Sequence, residues 1–398
     1  MADYIPFITG DDVCNLVNTV YPDSDMVRVP LDRAERLIPL LPDARKVWLD
    51  PCVDGMDDLE SRRIIKDHRN NSERKNPWFE FISKFPSFDR IGDPAYHANP
   101  VAAEVYDFVN EVMEKCAAYK PAWITVPQIP LVESYKRNKI NRALAKATGK
   151  WKGGSNFSGC LILPLVFTNQ KQVNLKEFRK QKVRQAEWCY REAQADGFWV
   201  VESSLKDDSG SSTLRGKRFP KIIILHEELN DCISSKIRIA GPYWGLNLVL
   251  WARGLVDYPA IGIGSSYQYL LAGGTAMQSS ARLMLSSLRR RVGIGELGTW
   301  LDEVMAKLGP SHPLYLEFNN IKRNLPTLSD KARAREQIAT RYKQWYDTIA
   351  SVPKAGRSMA LFQDLASAFA LGRSLPDLRD TKPRRPEAVA EQLMLSCL

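Results

Sequence analysis

The feature that most constrains this chain is a regular alternation of apolar, strand-like runs with helical patterns, from residue 4 to about residue 290. The runs fall at 4–10, 26–30, 46–50, 122–130, 160–168, 197–204, 236–241 and 260–265. Parallel strands need crossover connections and helices supply them, so the pattern predicts an α/β fold. Eight runs favour closure over an open sheet, and the expectation is a (β/α)8 TIM-like barrel. Residues 56–120 are too many for an ordinary connection between strands and are expected to be an insertion ending in a helix near 101–118. Within it Trp78, Phe79, Phe81, Phe85 and Phe88 suit a small local core, or alternatively wedges that hold a nucleic acid open. Beyond Met277 the pattern reads as helical over 281–291, 297–308, 330–351 and 358–371. The predicted domains are a barrel over 1–290 and a helical C-terminal extension over 291–398, with a mobile tail at 374–386.

Charge narrows the function classes. The net charge is +10, yet residues 136–184 alone carry thirteen Lys/Arg against one acid, Glu177. A field of this kind attracts phosphate backbones, and would also be felt by an anionic membrane. The sequence has no apolar run of about 18 residues, so no membrane span is expected, and a nucleic acid is the expected partner of the basic window. The seven cysteines are odd in number and scattered, which fits a reducing cytoplasm better than a disulfide framework.

Several chemistries lack their motifs. His68, His97, His226 and His312 are isolated, and no His-x-x-x-His or Cys-x-x-Cys spacing occurs, so no metal site is expected. A Gly-x-Ser-x-Gly elbow and a Walker-type phosphate loop are also missing, and Gly262-Ile263-Gly264 is too short for a dinucleotide fingerprint. No cofactor is expected.

The expected strand ends carry carboxylates, amides and aromatic rings instead. The segment KVWLDPCVDG (46–55) ends an apolar run at Asp50-Pro51 and turns at Asp54-Gly55. Gln128 follows the fourth run, Asn169 the fifth and Glu202 the sixth; Tyr243 and Trp244 follow the seventh, Ser265 and Gln268 the eighth. In a parallel barrel such residues share one mouth. Asp50 is the expected essential carboxylate, with Glu202 or Asp54 assisting, because paired carboxylates suit an oxocarbenium-like transition state. Gln128, Asn169, Ser265 and Gln268 suit reading a base edge; Tyr243 and Trp244 suit stacking on a flipped base. Lys136, Arg137, Lys139, Lys150 and Lys152 are expected to form a phosphate track beside that mouth.

On these residues the chain resembles the tRNA-guanine transglycosylase superfamily, whose barrel-strand aspartate acts at a nucleoside C1′. With the basic belt, it is more narrowly similar to bacterial anti-phage DNA glycosylases that remove glucosylated hydroxymethylcytosine from phage DNA. WLDPCVDG stands where that superfamily has an aspartate followed by small residues; the Asp-Ser-Gly-Gly-Phe string and the clustered-cysteine zinc site are missing. The resemblance therefore implies base excision from DNA. The alternatives are a base-exchange transglycosylase, a non-catalytic nucleic-acid-binding barrel, and a small-molecule barrel enzyme with an incidental basic window.

Overall fold

The structure is a computed structural model that describes residues 3–67, 72–132, 134, 136–203, 205, 218–263, 281–381 and 383–398. Eight parallel strands close into a barrel: β1 (Ile5–Phe7), β2 (Met26–Pro30), β3 (Lys46–Asp50), β4 (Trp123–Thr125), β5 (Cys160–Phe167), β6 (Gly197–Glu202), β7 (Ile237–Ala240) and β8 (Tyr258–Gly262). Each strand pairs with its neighbours in sequence order, and β1 pairs with β8 to complete the ring. All eight expected strands are present, and the α/β barrel class is correct.

Alternation within the strands decides which side chains meet. Ile5, Phe7, Met26, Trp48, Val166, Trp199, Val201 and Ile239 point inward and fill the lumen. Phe7, Trp48 and Trp199 form its centre, with ring centroids 5.2 to 5.6 Å apart at steep angles. Edge-to-face packing of this kind suits the ring quadrupoles and leaves a packed plug, not a pore. Their neighbours Val27, Val29, Leu49, Ile124, Phe198 and Val200 face the helix layer. Continuous apolar runs are the sequence mark of strands covered on both faces.

Helices Asp11–Val20, Ala102–Ala117, Lys139–Gly154, Lys176–Glu192, Arg218–Cys232 and Leu246–Ala252 lie between successive strands. The insertion folds as an antiparallel hairpin (64–67 with 72–75) and the short helices Pro77–Ile82 and Phe88–Ile91. Trp78 and Phe85 are buried and join the main core, with Phe79, Phe81 and Phe88 half-buried around them. The aromatic cluster is thus packed as core, but as part of the main core and not as a separate local one.

The C-terminal region departs from expectation in two places. Residues 281–291 do not form a helix: Arg282–Leu285 and Arg290–Gly293 pair as an antiparallel hairpin. Arg289 turns the chain at φ 50, and Glu317 accepts from the backbone N–H groups of Ser286 (2.5 Å) and Ser287 (3.0 Å). A carboxylate thirty residues away fixes that turn, so local periodicity was misleading. The tail at 374–386 is tied down: Leu375 and Leu378 are buried, Trp300 Nε1 donates to the Pro376 carbonyl at 3.0 Å, and Glu296 accepts from the N–H groups of Arg379, Asp380 and Thr381.

The boundary near residue 290 also shifts in meaning. The helix Lys331–Ala350 packs against the first barrel helix, Tyr21 Oη donating to the Ala339 carbonyl at 3.0 Å. On its other side Tyr342 Oη donates to Asn247 Oδ1 at 2.6 Å, and Tyr346 lies 4.7 Å from Trp251. It therefore fills the place of an eighth barrel helix, and residues 281–330 form a satellite with its own core around Trp300 and Phe318. No helix among the described residues is long and apolar enough to cross a membrane.

Candidate active site at the barrel mouth

The carboxyl ends of β2 and β3 bring the chemistry together. Pro30 lies opposite Asp50 and Arg28 opposite Trp48 in the parallel register. Asp50 shares the parity of inward-facing Trp48, and Arg28 that of Met26, so both point into the lumen above the aromatic plug. The Arg28 guanidinium sits 4.8 Å from the Phe7 ring centroid and 5.7 Å from that of Trp199. Its Nε donates to Asp50 Oδ2 at 2.9 Å, and one terminal nitrogen contacts the same oxygen closely while reaching Cys52 Sγ at 3.1 Å. The side chains of Arg28 and Asp50 are only 6% and 3% exposed, so this ion pair is buried.

The turn after β3 completes the cluster. Cys52 adopts φ 55, in the left-handed region that non-glycine residues seldom occupy. That conformation folds the chain back so that Cys52 N–H donates to Asp50 Oδ1 at 2.9 Å, and Gly55 N–H to the Cys52 carbonyl at 3.2 Å. Both Asp50 oxygens are thereby held. Asp54 follows, buried at 4% exposure. Across the strand pair, Asp32 lies in the 3₁₀ turn Leu31–Arg33 that ends β2, with its carboxylate 3.5 Å from Arg33 Nε. Burial raises the Asp32 carboxyl above its ordinary value, against the opposing pull of Arg33 and Arg28. Burial likewise pushes the Cys52 thiol well up; the charges of Asp50, Asp54 and Asp32 add to that, and Arg28 opposes it. The sulfur itself contacts the Arg28 guanidinium at 3.1 Å and the Asp50 carbonyl at 3.5 Å. Among the described residues no group of three or more His, Cys, Asp or Glu is arranged to hold a metal ion.

The other expected site residues are distributed differently. Glu202 has the parity of Phe198 and Val200 and lies on the helix-facing side of β6, 1% exposed. The expectation that Glu202 shares the mouth with Asp50 is therefore corrected: in a strand apolar on both faces, parity cannot be read from composition. Tyr243 is buried, its hydroxyl accepting from Glu202 N–H at 2.8 Å and donating to the Val200 carbonyl at 3.3 Å. Trp244 is buried against Tyr342 and Trp345, its Nε1 donating to the Arg289 carbonyl at 3.1 Å and its face covered by the Arg291 guanidinium at 4.6 Å. These rings are wall, not platform, which corrects their assignment to base stacking. Gln128 Nε2 donates to the Pro127 and Asn141 carbonyls, tying the end of β4 to the next helix. Asn169 caps the helix Gln170–Asn174 through Lys171 N–H at 2.9 Å. Ser265 and Gln268 lie outside the described residues.

The expected phosphate track divides in two. A helix that follows a barrel strand starts at the mouth and runs away from it. The helix Lys139–Gly154 has 16 residues and so spans roughly 24 Å at 1.5 Å per residue. Lys136 and Lys139 are exposed at its mouth end, and Arg137 there pairs with Asp57 at 3.0 Å. Lys150 and Lys152 lie at the far end. Lys150 Nζ sits 3.8 Å from the Tyr106 ring centroid, and Lys152 Nζ donates to the carbonyls of Phe157 and Gly159, just before β5 begins. They cannot line the mouth. That far end instead carries a groove of about 630 Å3 bordered by Glu114, Lys120, Trp151 and Phe157.

Arg28 and Asp32 are site residues that the strand-end pattern alone misses, although the sequence carries a signal for both. An arginine in the strand MVRVP with inward parity is expensive to bury unpaired, and Asp32 ends its strand much as Asp50 ends the next. No protein-family model matches the chain, and no curated protein matches it.

Proposed function

We propose that this barrel is a DNA glycosylase that cleaves the N-glycosidic bond of a base in DNA. Its narrowest form is excision of a modified, glucosylated hydroxymethyl cytosine from phage DNA as a defence activity, and this form rests on the family resemblance. The observation that carries the proposal is the placement of Asp50. It is a buried carboxylate at the lumen side of the mouth, held through both oxygens by Arg28 and Cys52, and the buried side chains of Asp32 and Asp54 follow the ends of β2 and β3. Breaking the bond builds positive charge at C1′, and a preorganised carboxylate stabilises such charge best where water is excluded. Because both Asp50 oxygens already accept hydrogen bonds, stabilisation through space with water as nucleophile is favoured over covalent attack. Asp32, whose carboxyl burial pushes up, is suited to hand a proton to the departing base. A stacked base cannot reach a barrel mouth, so the target nucleotide must be flipped out of the duplex.

The same buried ion pair also fits a binding barrel whose acids only hold the mouth together. An abasic-site assay on glucosylated and unmodified DNA separates the two. Release of free base from either substrate, lost in Asp50→Asn and Asp32→Asn, supports the glycosylase; tight DNA binding without abasic sites on any substrate overturns it.

A further inference from the structure

The basic window between residues 136 and 184 is not uniform once folded. Several of its cations are used internally, among them Arg179, in a bidentate pair with Glu228 at 2.9 and 3.0 Å, Lys182, whose Nζ contacts the Val132 carbonyl, and Arg137, paired with Asp57. Five others are exposed at the mouth end of two adjacent helices and the loops leading into them: Lys136, Lys139, Lys171, Lys176 and Lys180. None of these five has an acidic partner among the described residues. Lys139 and Lys176 open their helices, where the positive pole of the backbone disfavours a cation, so the fold itself gains nothing from their charge.

We propose that these five lysines form a phosphodiester-binding rim on the β4–β5 side of the mouth, which holds one DNA strand while a nucleotide enters the lumen. The helices Lys139–Gly154 and Lys176–Glu192 pack against one another. Packed helix axes lie about 8–10 Å apart, the rise of roughly three nucleotides of one duplex strand at about 3.4 Å each. The rim therefore meets consecutive phosphates and not a single anion. Phosphate contacts fix position and carry no sequence information, which leaves base identity to the lumen. The identification of the polyanion as DNA rests on the glycosylase reading; the position of the rim does not.

The test measures binding apart from chemistry, by fluorescence anisotropy of a labelled duplex with unmodified bases across a salt series. Wild type is compared with Lys136→Gln/Lys139→Gln, with Lys171→Gln/Lys176→Gln/Lys180→Gln, and with all five changes. A far-end control carries Lys115→Gln/Lys120→Gln/Lys150→Gln, all at exposed positions. Each lost phosphate contact lowers the slope of log K against log salt by about 0.9, so the fivefold variant should lose up to about 4.5 from the slope and at least about tenfold in affinity. The far-end control should bind as wild type. Equal losses in rim and control variants, or an unchanged slope in the fivefold variant, overturn the rim. Tighter binding of anionic lipid vesicles or single-stranded RNA than of DNA at every salt concentration overturns its assignment to DNA. If the rim variants lose binding as expected but wild type releases no base from any DNA, the rim stands and the glycosylase reading falls.

Discussion

Replacing Asp50 by Asn keeps the side chain's size but removes one half of a buried ion pair. Arg28 would stay in the lumen with 6% of its side chain exposed and without the carboxylate that its Nε faces, and the new amide would set a donor against a donor or against Cys52 N–H. Removing one partner of a buried pair typically costs about 3–5 kcal/mol. Against a total stability of about 5–15 kcal/mol, that is a large loss. Adding Arg28→Met removes the buried charge that Asp50 faced, while the Asn carbonyl still accepts from Cys52 N–H. The double variant should therefore recover about 2–3 kcal/mol relative to Asp50→Asn, and because Arg28→Met alone also breaks the pair, the coupling between the two positions exceeds that recovery. Urea denaturation of wild type, both single variants and the double variant measures that coupling. Single-turnover base release on the same four proteins then separates stability from chemistry. Asp50→Asn and the double variant should both fall by several powers of ten, the scale on which essential catalytic groups act. A double variant that regains both stability and turnover would reduce Asp50 to a structural anchor, and a stability loss under about 1 kcal/mol for Asp50→Asn would refute the burial argument itself.

Other expectations follow from the same geometry. Asp32→Asn should lower base release about 10²–10⁴-fold if Asp32 moves a proton, with DNA affinity unchanged in an anisotropy titration. Because burial raises the Asp32 carboxyl, its contribution to stability is present at acid pH and lost as pH climbs from 3.8 through the folded value; Asp32→Asn should thus gain stability relative to wild type at pH 7 but not at pH 3.5, read by denaturation at both. His226 is fully buried, neither ring nitrogen has a hydrogen-bond partner among the described residues, and burial lowers it to about 3 from 6.5. The unfolded chain then binds the extra proton between those values, so wild type should lose up to about 1.4 kcal/mol per pH unit below about 6.5, and His226→Leu should flatten that acid limb.

The barrel was legible because strands covered on both faces must be written as apolar runs, and eight such runs separated by helical text admit few folds. Legibility stopped where the deciding partner is distant. Nothing local in ARLMLSSLRRR distinguishes a hairpin from a helix; Glu317 makes the difference. The proline-rich text at 374–386 reads as a loose tail, yet Glu296 collects three of its N–H groups. At the mouth, Asp50 was found from its position at a strand end, while the ion pair that controls it was not. Arg28 lies 22 residues earlier, and only the parallel register of β2 and β3 brings the two together. The sequence also makes Asp50→Asn look mild, and the buried arginine is what makes it severe.

The placement of charge at the mouth yields one more expectation. The carboxylates lie at the ends of β2 and β3 and the exposed lysines on the β4–β5 side, and buried and exposed charges respond differently to salt. Exposed charges are screened over a Debye length of about 8 Å at physiological ionic strength, whereas a buried cluster is screened far less. On the proposed reading, raising salt weakens the hold of the rim on phosphate while the stabilisation offered by Asp50 in the lumen persists. Steady-state kinetics from about 0.05 to 0.2 M salt should then show KM rising steeply, in step with the anisotropy slope, and kcat changing less than about twofold. The fivefold lysine variant should show a nearly salt-independent KM with an unaltered kcat. If kcat falls in parallel with binding as salt rises, the lysines act on the reacting nucleotide itself, and the division of the mouth into a binding rim and a chemical floor is wrong.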